Sequence, residues 1–296
     1  MGSSLAENFP SARTIFNQAD QALGFSLSAL CWEGPAETLQ LTENMQPALV
    51  TVSVAAWRVL EEQGVRADFV AGHSLGEYSA LVAAGSLDFS DAVRLVRKRG
   101  RYMQEAVPVG VGAMAALLKL PAEKLDAILA EAAQGEVVAA ANFNSPDQVV
   151  LAGHSGAVNR AVELARAAGA RAKMLSVSAP FHCPLMEPAQ ARLKADLDAT
   201  EFRDLETPLV NGWQAKVIRT GAEAREGLYH QVPNSVRWTE VIQKLAALGV
   251  NRIIEVGAGG VLTGLLRGFV GNLDGNLEGS KFGEAQDLEK VHAAIA

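Results

Sequence analysis

Apolar residues recur every three or four positions over residues 12–23 and 43–62, so both segments are read as helices, the second with Pro47 in an early turn. The whole stretch from Phe9 to about Val65 has this helical character. The period then changes. Phe69-Val70-Ala71 is a short apolar run of strand type, residues 72–76 form a turn, and residues 75–84 resume helical spacing until Gly85 stops it. Between about Gly112 and Val177, strands (113–119, 137–142, 148–153, 172–178) alternate with helices (122–133, 157–168). That β-α-β-β-α-β order is ferredoxin-like and sets residues 111–178 apart as a small domain inserted into a larger one, residues 1–110 and 179–296. The larger part resumes with helices at 187–197, 238–248 and 261–269 and strands at 208–211 and 252–256. Such alternation predicts a mostly parallel sheet covered by helices, an α/β fold. Residues 272–281, rich in Gly, Asn and Asp, read as loop before a last helix at 286–295.

Composition narrows the class. The 296 residues are 49% hydrophobic and 20% charged, enough for one large core and a smaller unit. Apolar runs fall short of the roughly 18–20 residues of a membrane span, and Met1-Gly2-Ser3-Ser4 lacks the order of a signal peptide, so a cytoplasmic protein without membrane contact is expected. The two cysteines, Cys31 and Cys183, have neither disulfide-framework nor metal-ligand spacing, and reduced thiols and no metal are expected. A net charge of −7 argues against a nucleic-acid partner.

Gly72-His73-Ser74-Leu75-Gly76 lies between a predicted strand and a predicted helix, the context of a nucleophile elbow. Flanking glycines permit the sharp turn, Ser74 is exposed at the helix N-terminus, and the Leu75 N–H and helix dipole can stabilise an oxyanion. The bland alternative is a tight turn with Ser74 as a helix cap. A serine needs a base, and there are five histidines: His73, His154, His182, His230 and His292. His182 stands out because it follows Ser178-Ala179-Pro180-Phe181, where the small domain returns the chain to the cleft between domains, although a lone histidine beside proline is often an ordinary loop residue.

On a helix through residues 91–103, Leu95, Arg99, Met103, Ala92, Val96 and Tyr102 share an arc of about 120° with Arg99 near its centre. A guanidinium facing the core needs a carboxylate, from the protein or from a substrate. Arg94, Arg97, Lys98 and Arg101 fall in another arc, either a solvated face or a docking patch for an acidic partner. Gly257-Ala258-Gly259-Gly260 resembles the start of a dinucleotide fingerprint, but Leu262 stands where the third glycine belongs, so no nicotinamide cofactor is implied. Cys183 is read as a buried small hydrophobe rather than a nucleophile.

These residues carry a resemblance that runs from about Leu5 to Phe269. It rests on Thr42-Glu43-Asn44-Met45-Gln46-Pro47-Ala48-Leu49, the stretch Ala71-Gly72-His73-Ser74-Leu75-Gly76-Glu77-Tyr78, Arg99-Gly100 with Tyr102-Met103-Gln104, Asn142-Phe143-Asn144-Ser145-Pro146, Pro180-Phe181-His182 and Glu255-Val256-Gly257. With these motifs the chain resembles the malonyl-CoA:acyl carrier protein transacylases, the acyltransferase family of fatty acid and polyketide synthesis. The resemblance implies an α/β-hydrolase-like domain with a ferredoxin-like insert and a ping-pong transfer. Ser74 takes malonyl from coenzyme A, and the phosphopantetheine thiol of acyl carrier protein removes it. It further implies His182 as base and then acid, the Gln231 main-chain carbonyl orienting that imidazole, and Arg99 gripping the malonyl carboxylate. Gln46, Met103 and Phe181 would line the substrate pocket, with Phe181 crowding an α-methyl group. No cofactor beyond the malonyl-CoA substrate is implied, and a monomer is expected.

Members of that family begin with an apolar strand and a Gly-Gln-Gly-Ser-Gln loop whose glutamine N–H is a second oxyanion donor. The present sequence starts, at Met1-Gly2, after that loop. The expectation is an uncovered strand position in the sheet and, through loss of a donor, a rate lower by about two to three orders of magnitude. Two alternatives to a full transferase follow: a weakened or inactive form that binds acyl carrier protein, and a serine hydrolase that releases acyl groups to water.

Overall fold

A computed structural model of the chain describes residues 1–273 and 277–295. The first half of the larger unit is helical: α1 (Ser3–Asn8), α2 (Pro10–Leu23), α3 (Leu27–Glu33), α4 (Ala36–Gln40) and α5 (Thr42–Glu62). Strand β1 (Val70–Ala71) follows, then α6 (Gly76–Ala83) and α7 (Phe89–Ala106). The smaller unit runs β2 (Gly112–Leu118), α8 (Leu125–Ala133), β3 (Val138–Ser145), β4 (Gln148–His154), α9 (Ser155–Ala167) and β5 (Arg171–Met174). The chain returns through α10 (Glu187–Asp198), β6 (Leu209–Val210), β7 (Val217–Ile218), α11 (Gly221–Gln231), α12 (Trp238–Ala247), β8 (Arg252–Val256), α13 (Val261–Leu265), β9 (Glu278–Phe282) and α14 (Leu288–Ile295).

Local chemistry explains the helices that frame the site. Asp88 caps α7, its carboxylate accepting from the Ser90 and Asp91 N–H groups, and eight residues of that helix, Arg99 among them, are buried. Gly100 lets α7 press on α5: a Cβ there would lie 2.5 Å from the Thr42 carbonyl oxygen. α11 begins with a capping box between Thr220 and Glu223 and ends at Gln231.

The smaller unit is one antiparallel sheet, order β3-β4-β2-β5, with its own apolar core under α8 and α9. β3 also ties it to the larger unit, because Asn142 bridges to Val236 and the Phe143 N–H donates to the Val236 carbonyl.

In the larger unit the expected mostly parallel sheet is divided. β1 pairs in parallel with β6, and β6 antiparallel with β7. β8 pairs in parallel with β9 in a separate sheet. β1 and β8 both line a cavity of about 690 Å³ instead of bonding each other. Trp57 and Trp238 line it too, and both indole N–H groups are buried without an acceptor among the described residues. Apolar Phe69, Ile242 and Leu245 line the same cavity beside charged Arg66, Asp68 and Glu255.

One reading needs correction. Residues 272–281 are not all loop: Glu278–Phe282 form β9, paired along β8, and Phe282 is fully buried. Composition misled there because β9 is set by pairing to β8 rather than by its own residues; residues 274–276 of that segment lie outside the described residues. Among the described residues no helix is long and apolar enough to cross a membrane, and no cluster of His, Cys, Asp and Glu is placed to hold a metal.

Candidate active site

The turn after β1 is as tight as its glycine requires. A Cβ on Gly72 would fall 2.0 Å from the Gly76 main chain, whereas one on Gly76 would meet nothing within 4 Å, so only the first glycine is sterically obligatory. Ser74 sits at φ 50°, the left-handed conformation of a strained elbow, with its hydroxyl over the start of α6. The Leu75 N–H donates to no acceptor among the described residues and remains free for an oxyanion.

His182, also at positive φ (59°) and 4% exposed, reaches that hydroxyl: Ser74 Oγ lies 2.6 Å from its Nε2. Its Nδ1 lies 3.0 Å from the Gln231 main-chain carbonyl. A carbonyl can only accept, so Nδ1 carries the proton and Nε2 is left to accept from serine. Burial, then the Arg99 charge, pulls the imidazole down to about 3, which keeps it neutral and basic in form at neutral pH. The other histidines are engaged elsewhere. His73 bonds Asn144, His154 accepts from the Val137 N–H, His230 stacks on Trp213, and His292 is exposed on α14.

Arg99 is 2% exposed, and no carboxylate among the described residues pairs with it. Its Nη1 donates to Gln46 Oε1 (2.8 Å), its Nη2 to Ser74 Oγ (3.0 Å) and Gln231 Oε1 (3.2 Å), and its Nε has no acceptor among the described residues. A permanent cation thus stands beside the nucleophile, its direct hydrogen bonds going to neutral groups. Met103 is buried against Gln46, whose Nε2 lies 3.9 Å from its sulfur. Ser74, Arg99, His182, Gln46, Met103 and Phe181 share a cavity of about 330 Å³ that Met114, Asn142, Leu175 and Val177 of the smaller unit also line.

Two features of the site escape a reading by motif. The Gln231 side chain works as hard as its carbonyl: Oε1 accepts from Arg99, while Nε2 donates to the Ser74 carbonyl (3.1 Å) and to Glu77 Oε2 (2.9 Å). Glu77, fully buried, also accepts from the Gly212 N–H (3.0 Å). The signal for α11 was available in Thr220-x-x-Glu223, but nothing local marks the side chain at its end.

The basic face divides. Lys98 pairs with Asp196 and Arg94 with Asp91. Arg97 lies over the Phe25 ring, and Arg101, exposed, lies near Tyr102. Cys183 is buried, donates to the Pro180 carbonyl, and its thiol is pushed up to about 11 by burial, which makes it a poor nucleophile. Cys31 is likewise buried and raised to about 11. After Gly257-Ala258-Gly259-Gly260, the Leu262 and Thr263 N–H groups of α13 bond the Glu255 carboxylate, which occupies the place a cofactor phosphate would need.

Residues 1–272 match the acyl transferase domain family. Among characterised proteins, the malonyl CoA-acyl carrier protein transacylase of Escherichia coli K12 is 50% identical over 263 residues, 88% of this chain and 85% of that protein. The Bacillus subtilis 168 protein of the same name is 48% identical over 268 residues, 90% of this chain and 84% of that one. An acyl carrier protein S-malonyltransferase from Vibrio cholerae superposes with a TM-score of 0.94 at 44% identity, covering 98% of this chain and 94% of that one. A malonyl-transacylase solved in complex with a holo type II polyketide acyl-carrier protein gives 0.95 at 44% identity, covering 99% and 94%.

Proposed function

The chain belongs to the acyl transferase family, and from its site we infer that it moves malonyl from malonyl-CoA to the phosphopantetheine thiol of acyl carrier protein, as an enzyme of fatty acid synthesis. The observation that carries the reading is Arg99: a buried guanidinium 3.0 Å from the nucleophile hydroxyl, with no carboxylate in direct contact among the described residues. An arginine so placed calls for an acyl group with its own carboxylate, since a bidentate pair satisfies the fork and an acetyl group leaves it unpaired. A hydrolase of simple esters has no use for that charge, and a non-catalytic binding protein has none for the Ser74–His182 contact. Neither alternative is favoured.

In this reading Ser74 Oγ attacks the thioester carbonyl while His182 Nε2 takes its proton, and the Leu75 N–H holds the developing oxyanion. The tetrahedral intermediate collapses with cleavage of the C–S bond, and His182 returns the proton to the leaving coenzyme A sulfur. The acceptor thiol then gives its proton to His182, attacks the ester carbonyl, and expels Ser74 Oγ, which recovers the proton. The Gln231 carbonyl fixes the tautomer throughout. Gln46 and Met103 shape the acyl pocket, and Phe181 narrows it against an α-methyl branch. No step uses a cofactor.

We read the smaller unit as a ferredoxin-like insert (111–178) in a hydrolase-like domain; the β-α-β-β-α-β order and the strand order β3-β4-β2-β5 support this. Acyl carrier protein is the macromolecular partner; of the basic face, Arg101 is the exposed cation without an ion pair among the described residues. A monomeric, cytoplasmic enzyme fits this role.

The test is direct acylation. On mixing with malonyl-CoA the intact protein should gain the mass of one malonyl group at Ser74 and lose it on addition of holo acyl carrier protein. No mass gain, or loss of the adduct to water at the same rate without acceptor, would defeat the reading.

A further inference from the structure

We propose that Glu77 is the resting counter-charge of Arg99 and takes up a proton when a malonyl carboxylate pairs with that arginine, so that malonyl selection weakens as pH rises. The proposal rests on the reading of Arg99 as the malonyl clamp.

The geometry is a three-member line through Gln231. Arg99 Nη2 donates to Gln231 Oε1, and Gln231 Nε2 donates to Glu77 Oε2, so one amide dipole spans the cation and the carboxylate. The Gly212 N–H is the second donor to Oε2, while Oε1 is buried with no partner among the described residues. An unused carboxyl oxygen in a dry site is a place for a proton.

The surroundings leave few other charges. Beside Glu77 on α6, Tyr78 is buried and its hydroxyl is pushed up to about 12 by burial, so it is neutral. His73, before that helix, is pulled below its usual value by burial, and His182 lies near 3, so both are neutral as well. From the turn after β6 comes the Gly212 amide, and from α11 the Gln231 amide, with His230 stacked away on Trp213. Arg99 and Glu77 remain as the charge-bearing pair. Burial raises Glu77 to about 7, against the opposing pull of its two donors and of Arg99.

With Glu77 ionised, the empty site is neutral. Adding a malonyl carboxylate makes it a net anion in a low-dielectric pocket, and the second negative charge raises Glu77 further. One solvent proton then moves onto Glu77 Oε1 on binding and leaves when the carboxylate departs. No other bond changes. Acetyl lacks the carboxylate and asks for no proton.

The experiment follows Ser74 acylation by quenched mass spectrometry with malonyl-CoA and acetyl-CoA from pH 6 to 8.5. The ratio of the two rate constants is the readout, because titration of His182 or coenzyme A affects both substrates alike. In the parent the malonyl:acetyl ratio should fall about tenfold across this range, since one pKa unit is tenfold. In Glu77→Gln, a neutral isostere whose oxygen can accept from Gly212 and Gln231, it should stay high and flat. If that variant fails to fold, calorimetry of malonyl-CoA with Ser74→Ala in two buffers of different ionisation enthalpy serves instead, with uptake of about half a proton near pH 7.5 and none for acetyl-CoA. A ratio that favours malonyl but ignores pH, an unchanged slope in Glu77→Gln, or no proton uptake overturns the proposal alone. A ratio near one at every pH overturns the Arg99 reading and this proposal with it.

Discussion

Strand β1 is the boundary of two regions whose backbone and side chains are tied together in different ways. After its C-terminal end, around Ser74, the Gln231 carbonyl and both amide atoms of its side chain are used, joining His182, Arg99, Ser74 and Glu77. On its open edge, facing β8, two indole N–H groups have no acceptor among the described residues and two strands face a cavity instead of each other. The difference locates what holds the chemistry. The nucleophile turn is fixed from the α7 and α11 side by hydrogen bonds, and the β8 side adds little. A divided sheet and a hydrogen-bonded site coexist because their bonds do not overlap.

The strongest way to break this comparison is at the nucleophile. Ser74→Ala should lower malonyl transfer by roughly 10⁴-fold or more while leaving the thermal midpoint within a few degrees, measured by a coupled thiol assay and calorimetry. In the parent, His182 held near 3 is neutral throughout the range where free histidine titrates. Acetylation of Ser74 should therefore show no acid limb between pH 7 and 5; a fall centred near 6.5 would mean that burial and Arg99 do not depress the base.

Arg99→Ala comes next. Malonyl transfer should drop by about 10²–10³-fold and acetyl transfer by far less, because only the carboxylate-bearing acyl group loses its partner. Equal losses for both acyl groups would move Arg99 from selection to mere support of the serine, to which it also donates.

Gln231→Leu keeps the main-chain carbonyl that His182 uses and removes the amide that links Arg99, Ser74 and Glu77. Leaving two buried charged groups short of partners should cost about 3 kcal/mol of unfolding free energy in urea titration. A loss under about 1 kcal/mol would show that the ordered side is ordered by packing alone.

Much of this side was legible in the sequence, and the reason is chemical. An elbow needs Gly-x-Ser between strand and helix, and a charged residue in an apolar helical arc declares itself; both are local patterns, and Ser74 and Arg99 are where those patterns put them. His182 came from its place beside the returning chain, a weaker cue. Glu77 and the Gln231 side chain were not legible, because a glutamate in the first turn of a helix reads as an ordinary dipole partner and a glutamine at a helix end has no signature. β9 was hidden for a related reason: Gly279 and Ser280 favour no strand, and only pairing with β8 makes them one. Long-range bonds, not propensity, decide these residues.

Hydrogen exchange sharpens the contrast at the level of backbone. Amides of β8 that face the cavity should exchange at least about tenfold faster than those of β2 and β4, each of which is held in a seven-residue register. Equal protection would mean that the cavity edge opens only with the whole molecule.

The smallest effect belongs to the cavity wall. Trp57→Phe removes a buried donor that has no acceptor, so the lost indole ring area is offset by relief from an unmet hydrogen bond. The change in unfolding free energy should fall between neutral and a gain of about 1 kcal/mol, with malonyl transfer unaltered. Ordinary core truncation of an aromatic would instead cost several kcal/mol. A loss of that size at Trp57 would place a real partner on its N–H and remove the contrast at this wall of the cavity.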